Sequence, residues 1–323
     1  MDPFDDLLRG VRANGAVFAG SVLTPPWTLR FADDAYLTLC VPLDGAGWIV
    51  RDGGGEPRPV RTGEAAIVRG PEPFVFTDDP GTGARSPSGP HSGPPSGPHS
   101  GPPSGPHSGP PSGPRSGSPE GVGRAMLLAG AYRVPGEVPR RLLRALPPVA
   151  VVPDEHDCAA MRGYLEAQLT TGLPGRQIVV DRLLDWLLVC TLRQWFDRPG
   201  AAPPAWYLAL GDDVAGPALR AMHDAPERAW TLSSLAAAAG VSRSTFAKRF
   251  QALLGEPPLT YLTEWRMTLA ADLLSEPGTT VAAVARRVGY ADPFGFSAAF
   301  KRVRGVSPSA HRAAGGERVK AAP

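Results

Sequence analysis

The most constraining feature of this 323-residue chain is a pattern that occurs twice between residues 232 and 308. Each copy contains a short apolar helix, a turn with a glycine, and a second, basic helix with two phenylalanines four residues apart. The first copy spans residues 232–250 and the second spans residues 281–302, about 50 residues later. Two helix–turn–helix units in one chain predict a protein that can enter the DNA major groove twice.

The first copy has the residues that such a unit needs at each position. Gly240 supplies the tight turn, and Ser242 is a good N-cap for the helix that follows. Phe246 and Phe250, at positions i and i+4, are expected to anchor that helix inward. Polar and basic side chains at the exposed start of such a helix suit reading of the major groove. The candidate DNA-binding residues are Arg243, Ser244, Thr245, Lys248 and Arg249.

The second copy has the same anatomy. Gly289 stands at the turn, Asp292 is the N-cap, and Phe296 and Phe300 are the inward anchors. Pro293 at the first helical position costs nothing, because its missing N–H would have no partner there. Basic residues at the far end of this helix suit contact with phosphates. The candidate DNA-binding residues of this unit are Phe294, Ser297, Lys301 and Arg302, with Arg304 as a further phosphate contact.

The segment between the two copies predicts one amphipathic helix over residues 258–274. Its apolar positions include Leu262, Leu269, Leu273 and Leu274. Such a helix would join the two units rigidly. Held about 34 Å apart, which is one turn of DNA, the two units could enter successive major grooves.

The N-terminal part predicts short antiparallel strands between residues 15 and 80, separated by turns rich in Gly, Pro and Asp. Their spacing of roughly ten residues indicates a small β-barrel or sandwich. The pattern resumes at residues 125–132, so residues 1–150 are predicted to form one domain.

A Gly/Pro/Ser/His insert interrupts this domain at residues 81–120. The octad Gly-Pro-His-Ser-Gly-Pro-Pro-Ser occurs three times from Gly89 to Ser112. We expect the insert to be disordered, because it lacks the apolar residues that could form a core. His91, His99 and His107 recur every eight residues. We interpret them as the product of repeat expansion in a loop rather than as a metal-binding tract.

Helical periodicity begins near Cys158 and predicts a helical segment over residues 151–200. Its broad apolar stripe suits packing against the barrel, and it suits a helix-to-helix dimer surface nearly as well. The stripe consists of Leu183, Leu184, Leu187, Leu188 and Leu192. A Pro-rich stretch predicts a linker over 201–214, before a helix–turn–helix domain at 215–314 and a disordered tail at 315–323.

Charge is distributed unevenly along the chain, although the total is nearly balanced. Residues 1–80 contain 7 Lys and Arg against 12 Asp and Glu, whereas residues 223–314 contain 11 against 7. The basic excess of the second segment fits contact with DNA phosphates.

Cysteines and apolar runs narrow the class of protein further. Cys40, Cys158 and Cys190 form no CxxC pair, so neither a disulfide framework nor a zinc site is expected. The acidic start of the chain does not resemble a secretory signal, and no apolar run reaches membrane-spanning length. We therefore expect a soluble, cytoplasmic protein.

Residues 215–313 resemble the AraC/XylS family of transcription regulators. Matches spread over about 100 residues make this resemblance specific. It rests on the segment from Trp230, the turn at 240–246, Trp265-Arg-Met, Arg-Val-Gly-Tyr at 287–290 and the closing segment 300–308. The N-terminal half looks like the cupin-type sensor domain of one branch of this family. That likeness rests on Pro26-Trp27, Gly63-Glu64 and residues 130–133 and 146–148.

The resemblance implies both a fold class and a function. The fold is α+β and multidomain, with an N-terminal cupin-like antiparallel β-barrel followed by helices, and a C-terminal all-α domain with two helix–turn–helix units. The function implied is sequence-specific DNA binding that regulates transcription, as an activator, with the barrel sensing a small molecule or signal. The implied partners are double-stranded DNA, an effector of unknown identity, RNA polymerase and a second copy of the chain.

The chain departs from the family pattern at two places. Metal-binding cupins hold their ion with His and Glu, yet residues 1–90 contain no histidine, so neither a metal nor another cofactor is expected. In the second recognition helix, apolar residues stand where family members usually have polar ones, at Pro293, Phe294, Gly295 and Ala298. We therefore predict that the first unit carries most direct base readout, while the second supplies phosphate contacts and shape fit.

Two other functions compete with an effector sensor. The first is a cupin-like enzyme fused to a DNA-binding domain, which would need clustered acids, histidines or a thiolate. Residues 1–80 offer only scattered carboxylates and Cys40, so we expect no enzyme. A thiol redox sensor would use Cys40, on an apolar strand where a thiol is usually inert.

Five aromatic residues of the N-terminal domain could line an apolar effector pocket, but aromatic core packing explains them equally well. They are Trp27, Phe31, Tyr36, Trp48 and Phe74.

Overall fold

The computed structural model of the chain describes residues 3–8, 10–17, 22–32, 35–81, 124–133, 136–153, 158–170 and 173–320. The strands are β1 Arg12–Val17, β2 Val22–Leu23, β3 Thr28–Phe31, β4 Leu37–Asp44, β5 Ala46–Arg51, β6 Arg58–Arg61, β7 Glu64–Arg69, β8 Phe74–Thr77, β9 Ala125–Arg133 and β10 Val149–Pro153. The helices are α1 Pro3–Leu8, α2 Glu137–Leu143, α3 Cys158–Thr170, α4 Arg176–Asp197, α5 Ala205–Ala209, α6 Ala215–Asp224, α7 Leu232–Ala238, α8 Arg243–Leu254, α9 Pro258–Ser275, α10 Val281–Arg287, α11 Pro293–Arg304 and α12 Pro308–Lys320. None of the helices in these ranges is both long and apolar enough to cross a membrane.

The strands form two antiparallel sheets. The first has six strands in the order β1-β9-β4-β7-β10, with β2 added beside β9, and the second has four in the order β3-β8-β5-β6. Cys40 and Leu127 of the first sheet share a buried cluster with Ile49 and Phe76 of the second, so the two sheets face each other. The predicted antiparallel N-terminal fold is confirmed, in the form of two facing sheets rather than one closed barrel.

Strand β4 is buried on both faces, which explains why its sequence is mostly apolar from Leu37 to Leu43. Cys40 belongs to the cluster between the two sheets, whereas Leu39 and Val41 belong to a second cluster on the opposite face. Because successive side chains of a strand point to opposite faces, one strand supplies two cores. The six-stranded sheet is therefore the middle layer, between the four-stranded sheet and helices.

Helix α4 covers the outer face of the six-stranded sheet with its leucine stripe. A side chain at Gly130 of β9 would come within 3.0 Å of Leu184. The hydroxyl of Tyr132 donates a hydrogen bond to the carbonyl oxygen of Leu184 over 2.7 Å. The stripe thus packs against the sheet, which was one of its two interpretations. The opposite side of α4 exposes Ile178, Val179 and Trp186.

Helices α7 and α8 form the first helix–turn–helix unit, and α10 and α11 form the second. Helix α9, with 18 residues, joins them, as the sequence predicted. Its buried side chains belong to two clusters. Tyr261 and Trp265 pack with the first unit and with the N-terminal helices, whereas Met267, Ala271 and Leu274 pack with the second unit.

The structure differs from the predicted domain boundaries at three places. Strand β10 crosses the boundary predicted at residue 150, because it pairs with β7. The segment predicted as the linker 201–214 contains helix α5, whose Trp206 is buried against the ring of Phe4. The backbone of α12 continues to Lys320, past the end predicted at residue 314. The Gly/Pro/Ser/His insert, from residue 82 to residue 120, lies outside the described residues.

The buried position of Trp206 generates a stability prediction. Replacing Trp206 by Ala should lower the free energy of unfolding by about 3–5 kcal/mol. Removal of the large aromatic side chain would leave a cavity between α1, α5 and the core. Urea unfolding followed by circular dichroism measures this change. Leu208→Ala on the same helix is the control, because Leu208 is 61% exposed and should change stability by less than about 0.5 kcal/mol. Equal effects of the two substitutions would contradict the packing described for α5.

Candidate nucleic-acid interface

Both helix–turn–helix units make the turn with the glycine that the sequence predicted. Gly240 and Gly289 have φ values of +69° and +82°, in the left-handed region that favours glycine. Gly289 is constrained a second time, because a side chain there would come within 2.5 Å of the carbonyl oxygen of Glu227. The second turn therefore excludes any residue with a side chain for two independent reasons.

The two recognition helices, α8 and α11, begin with the predicted caps. The side chain of Ser242 accepts a hydrogen bond from the Thr245 backbone N–H at 3.2 Å. Asp292 accepts from the backbone N–H groups of Phe294 at 3.2 Å and Gly295 at 2.7 Å. Each helix has 12 residues and ends at a left-handed glycine, so the two correspond position by position.

Helix α8 buries its two phenylalanines and exposes the predicted DNA-binding residues. Phe246 and Phe250 are fully buried, with ring centroids 5.5 Å apart. Within the described part of the chain, no hydrogen bond or ion pair engages the side chain of Arg243 or Lys248. The exposed residues of this helix include Arg243, Ser244, Thr245, Lys248 and Arg249.

Arg249 has a partner that the sequence did not reveal. Its Nε and Nη2 atoms donate to Oδ2 of Asp212 over 2.9 and 2.6 Å. The other oxygen of Asp212 accepts from the backbone N–H groups of Val214 and Ala215, at the start of α6. Burial acts to raise the pKa of Asp212, but Arg249 and these N–H donors outweigh it, so the pKa is lowered. Arg249 thus ties α8 to α6, although its side chain remains 54% exposed.

Helix α11 places its predicted residues in three different settings. Phe296 and Phe300 are fully buried, as predicted. Ser297 is half-buried, and its hydroxyl donates to the carbonyl oxygen of Pro293 at 2.8 Å. The predicted phosphate contacts Lys301 and Arg302 are exposed. Phe294, at the start of the helix, is 85% exposed.

Arg304, at the end of α11, contacts the N-terminal part of the chain. Its Nη2 lies 2.9 Å from Oε2 of Glu137 at the start of α2, and its side chain is only 21% exposed. Arg140 and Arg144 approach the same carboxylate at 3.2 and 3.3 Å. Burial acts to raise the pKa of Glu137, but these arginines outweigh it, so the pKa is lowered. The predicted role of Arg304 as a phosphate contact conflicts with this arrangement.

Asp272 of α9 contacts the same end of α2 as Arg304 does. Its carboxylate accepts hydrogen bonds from the backbone N–H groups of Glu137 at 2.5 Å and Val138 at 3.1 Å, so it caps α2. Gly136 makes this approach possible, because a side chain there would come within 2.7 Å of the same carboxylate. Burial raises the pKa of Asp272, although the two N–H donors act against it. We call Glu137, Asp272 and Arg304 the interdomain joint.

A second contact links α1 to α6, the helix before the first unit. The Nδ1 atom of buried His223 lies 3.2 Å from the Asp6 carboxylate, and its Nε2 lies 2.9 Å from the Tyr261 hydroxyl. The His223 ring stacks on Trp265 with centroids 4.0 Å apart. Asp272 thus links α2 to the second half of α9, and His223 of α6 connects α1 to the first half. The sequence offered no local signal for these pairings.

The five residues proposed for an effector pocket do not share one cavity. Trp27 contacts Phe76 with ring centroids 5.4 Å apart, and Phe31 stacks on Phe74 at 4.6 Å, all within the cluster between the sheets. The void beside Phe31 and Phe74 measures about 10 Å³.

The other two residues of that set lie elsewhere. Tyr36 faces α2, and its hydroxyl accepts from Arg140 at 2.7 Å. Trp48 is half-buried beside buried Ile49 and points to the other face of β5. Aromatic core packing therefore accounts for Trp27, Phe31 and Phe74, which was one of the two explanations offered by the sequence.

Cys40 lies at the centre of the fold and has no accessible surface. Burial raises the pKa of its thiol to about 12. A thiol in this state is a poor nucleophile, because only the thiolate reacts. This geometry disfavours the redox-sensor alternative. His91, His99 and His107 lie outside the described residues, and within those residues no three His, Cys, Asp or Glu side chains cluster as metal ligands would.

Comparison with known families assigns both halves of the chain. Residues 2–197 match a family described as Cupin, which covers the two sheets and helices α1–α4. Residues 235–314 match a family described as Helix-turn-helix domain. The class defined by the fold and its exposed recognition helices is thus a cupin domain followed by a DNA-binding domain.

Similar proteins extend over the whole chain. A protein of Streptomyces lividans described as an AraC-like transcription regulator is 30% identical over 322 residues, covering 97% of this chain and 98% of that protein. One of Streptomyces antibioticus with the same description is 31% identical, with the same coverage. The DNA-binding domain of AdpA, solved in complex with a target DNA, is 36% identical and covers 33% of this chain and 96% of its own, with a TM-score of 0.32. The chain belongs to the AraC-like family of transcription regulators, and it is a DNA-binding regulator with an N-terminal cupin domain.

The burial of Cys40 generates a reactivity prediction. At pH 8 a thiol with a pKa of about 12 is a thiolate in roughly one molecule in 10⁴, and here it is also inaccessible. Iodoacetamide should therefore leave Cys40 unmodified in the folded protein and modify it in urea, as mass spectrometry of the peptides can show. Cys190, which is half-buried, is the internal comparison. Rapid modification of folded protein at Cys40 would revive the redox-sensor alternative.

Proposed function

We propose that this regulator reads its DNA site with two unequal units and that the first unit makes most of the base-specific hydrogen bonds. Arg and Lys donate to guanine in the major groove, and Ser and Thr can pair with several bases. The exposed polar residues at the start of α8 support this division: Arg243, Ser244, Thr245 and Lys248. Lys301 and Arg302 are assigned to phosphates, and Arg249 is assigned to holding α8 in place through Asp212.

The division of roles predicts different effects for two basic residues. Lys248→Ala should reduce discrimination between the preferred site and its single-base variants by about tenfold, because a base contact is lost. Arg302→Ala should weaken binding to all sites alike and reduce the slope of log K against log salt concentration by about 0.9. Fluorescence anisotropy with a set of duplexes at several salt concentrations measures both quantities.

Arg58→Ala is the matched control for these variants, because Arg58 is an exposed basic residue of the N-terminal domain. It should leave affinity, discrimination and salt slope unchanged. Full sequence discrimination by the Lys248→Ala protein would contradict the assignment of base readout to α8.

The second part of the proposal is that the N-terminal domain acts on DNA binding through the interdomain joint. The joint connects α2 with α9 and with the end of α11, and the His223 contact connects α1 with the first half of α9. The N-terminal domain is thus connected to both units through α9, the helix that sets their spacing. A change in the N-terminal domain that moves α2 would displace Asp272 and Arg304 together. We propose that the joint preorganises the two units for DNA.

The joint predicts a loss of affinity when its charge is removed. Glu137→Gln in the full chain should weaken binding to the two-unit DNA site by about threefold to tenfold, because Arg304 loses its charged partner. Arg144→Gln is the control: Arg144 touches the same carboxylate, but its side chain is 71% exposed, so affinity should stay within about twofold. Tighter binding or no change in the Glu137→Gln protein would contradict a supporting role for the joint.

The remaining assignments are also proposals. A small-molecule effector is the proposed signal for the N-terminal domain, but the packed space at Trp27, Phe31 and Phe74 has no room for one unless side chains are displaced. Activation of transcription through RNA polymerase is proposed from the family resemblance. The cytoplasm is the proposed compartment, because such a regulator binds DNA there. The exposed residues Ile178, Val179 and Trp186 of α4 are the proposed homodimer surface. We propose no catalytic role.

A further inference from the structure

Phe294 is the most exposed large apolar side chain that the structure describes, with 85% of its surface accessible. It is the second residue of α11, directly after Pro293, and Asp292 caps its backbone N–H. The two other phenylalanines of this helix already anchor it to the core, so Phe294 adds nothing to that core. An aromatic ring held in water at the tip of a recognition helix indicates a surface that is buried when the ligand binds.

The neighbours of Phe294 leave its ring unobstructed. Gly295 has no side chain, and Ala298, one helical turn after Phe294, has only a methyl group and is exposed. The Ser297 hydroxyl is directed back to the carbonyl oxygen of Pro293. The start of α11 therefore presents one large apolar group on a surface of small ones.

The two recognition helices carry different residues at the position that Phe294 occupies. Counted from the caps Ser242 and Asp292, Phe294 occupies the position that Ser244 occupies in α8. Both residues are exposed at the same height on equivalent helices. The first unit thus offers a hydroxyl where the second offers an aromatic ring. A hydroxyl forms hydrogen bonds with base edges, whereas a phenyl ring can distinguish bases only by apolar contact.

We propose that Phe294 reads thymine through its C5-methyl group, so that the second unit contributes sequence specificity as well as phosphate contacts. Thymine is the base that presents a methyl group in the major groove, and phenylalanine is one of the side chains suited to contact it. This inference rests on the proposed function, because it requires α11 to enter the groove. It predicts at least one thymine in the part of the site that the second unit covers.

The test removes the methyl group without changing the base pair. Duplexes that bind the full chain are first selected from a random pool. Each thymine of a selected duplex is then replaced singly by deoxyuridine, which pairs like thymine but lacks the C5-methyl group. One position, or two adjacent positions, should lose about fourfold in affinity, as expected for one buried methyl group.

Variants then connect that methyl group to Phe294. Phe294→Ala should bind the thymine duplex about fourfold or more weakly and should bind the thymine and deoxyuridine duplexes equally. Phe294→Leu, which keeps an apolar side chain, should retain part of the difference. Ser244→Ala is the matched control at the equivalent position of the first unit, and it should retain the full deoxyuridine penalty. Unchanged thermal unfolding of Phe294→Ala confirms that the fold is intact, since the ring is exposed.

Three outcomes would overturn the inference. A deoxyuridine penalty that persists in Phe294→Ala would assign the methyl contact to another residue. Wild-type DNA affinity in Phe294→Ala, with a loss only in transcription assays, would assign the ring to a protein partner. An absence of any penalty on deoxyuridine substitution would exclude methyl readout. Failure of the proposed function is a different result, because it shows as full sequence discrimination in the Lys248→Ala protein and does not depend on the deoxyuridine duplexes.

Discussion

The arrangement of the molecule depends on α9, because its buried side chains belong to two separate hydrophobic clusters. Tyr261 and Trp265 complete the cluster of the first helix–turn–helix unit, and Met267 and Leu274 complete that of the second. The helix is about 27 Å long at 1.5 Å per residue, so the distance between the two units is set by a rigid element. The cluster of the first unit also continues into the N-terminal domain. The second unit has a core of its own and meets that domain chiefly through polar contacts.

The two units keep the same anchors and caps but differ in the side chains that they present. Paired buried phenylalanines, a left-handed glycine in the turn and a polar N-cap recur because the backbone geometry requires them in both. The exposed positions are free of that requirement. Position by position, Ser244 corresponds to Phe294 and Lys248 corresponds to Ala298. Recognition chemistry can therefore diverge between the units while the fold of each is preserved.

Charged residues of the C-terminal domain have a structural role besides attraction to DNA. Glu137 of the N-terminal domain binds Arg304 of the C-terminal domain, and Asp272 of the C-terminal domain caps α2 in return. These groups are largely withdrawn from water, so each depends on its partner more than an exposed ion pair does. Part of the basic excess that indicated phosphate contact is thus used within the protein.

Much of the fold could be predicted from the sequence, because it depends on interactions between residues close together in the chain. The N-caps Ser242 and Asp292 act on N–H groups two or three residues away, and Gly240 relieves strain at its own position. The leucine stripe of α4 predicted a buried helix, but its period could not show whether a sheet or a second chain would cover it. The predicted linker 201–214 is a similar case. It follows a Pro-rich stretch, and local sequence could not show that Trp206 would pack against Phe4 of the first helix.

The sequence by itself determined that the chain has two helix–turn–helix units, their turns, their caps and their buried phenylalanines, because each of these follows from local geometry and helical periodicity. Only the tertiary structure decided which charged residues have partners elsewhere in the protein. Arg249 and Arg304 look like their exposed neighbours in sequence, yet Asp212 and Glu137 engage them from other elements. Composition and spacing do not encode such pairings, because the energy of a charge pair depends on distance in space and on exposure to water.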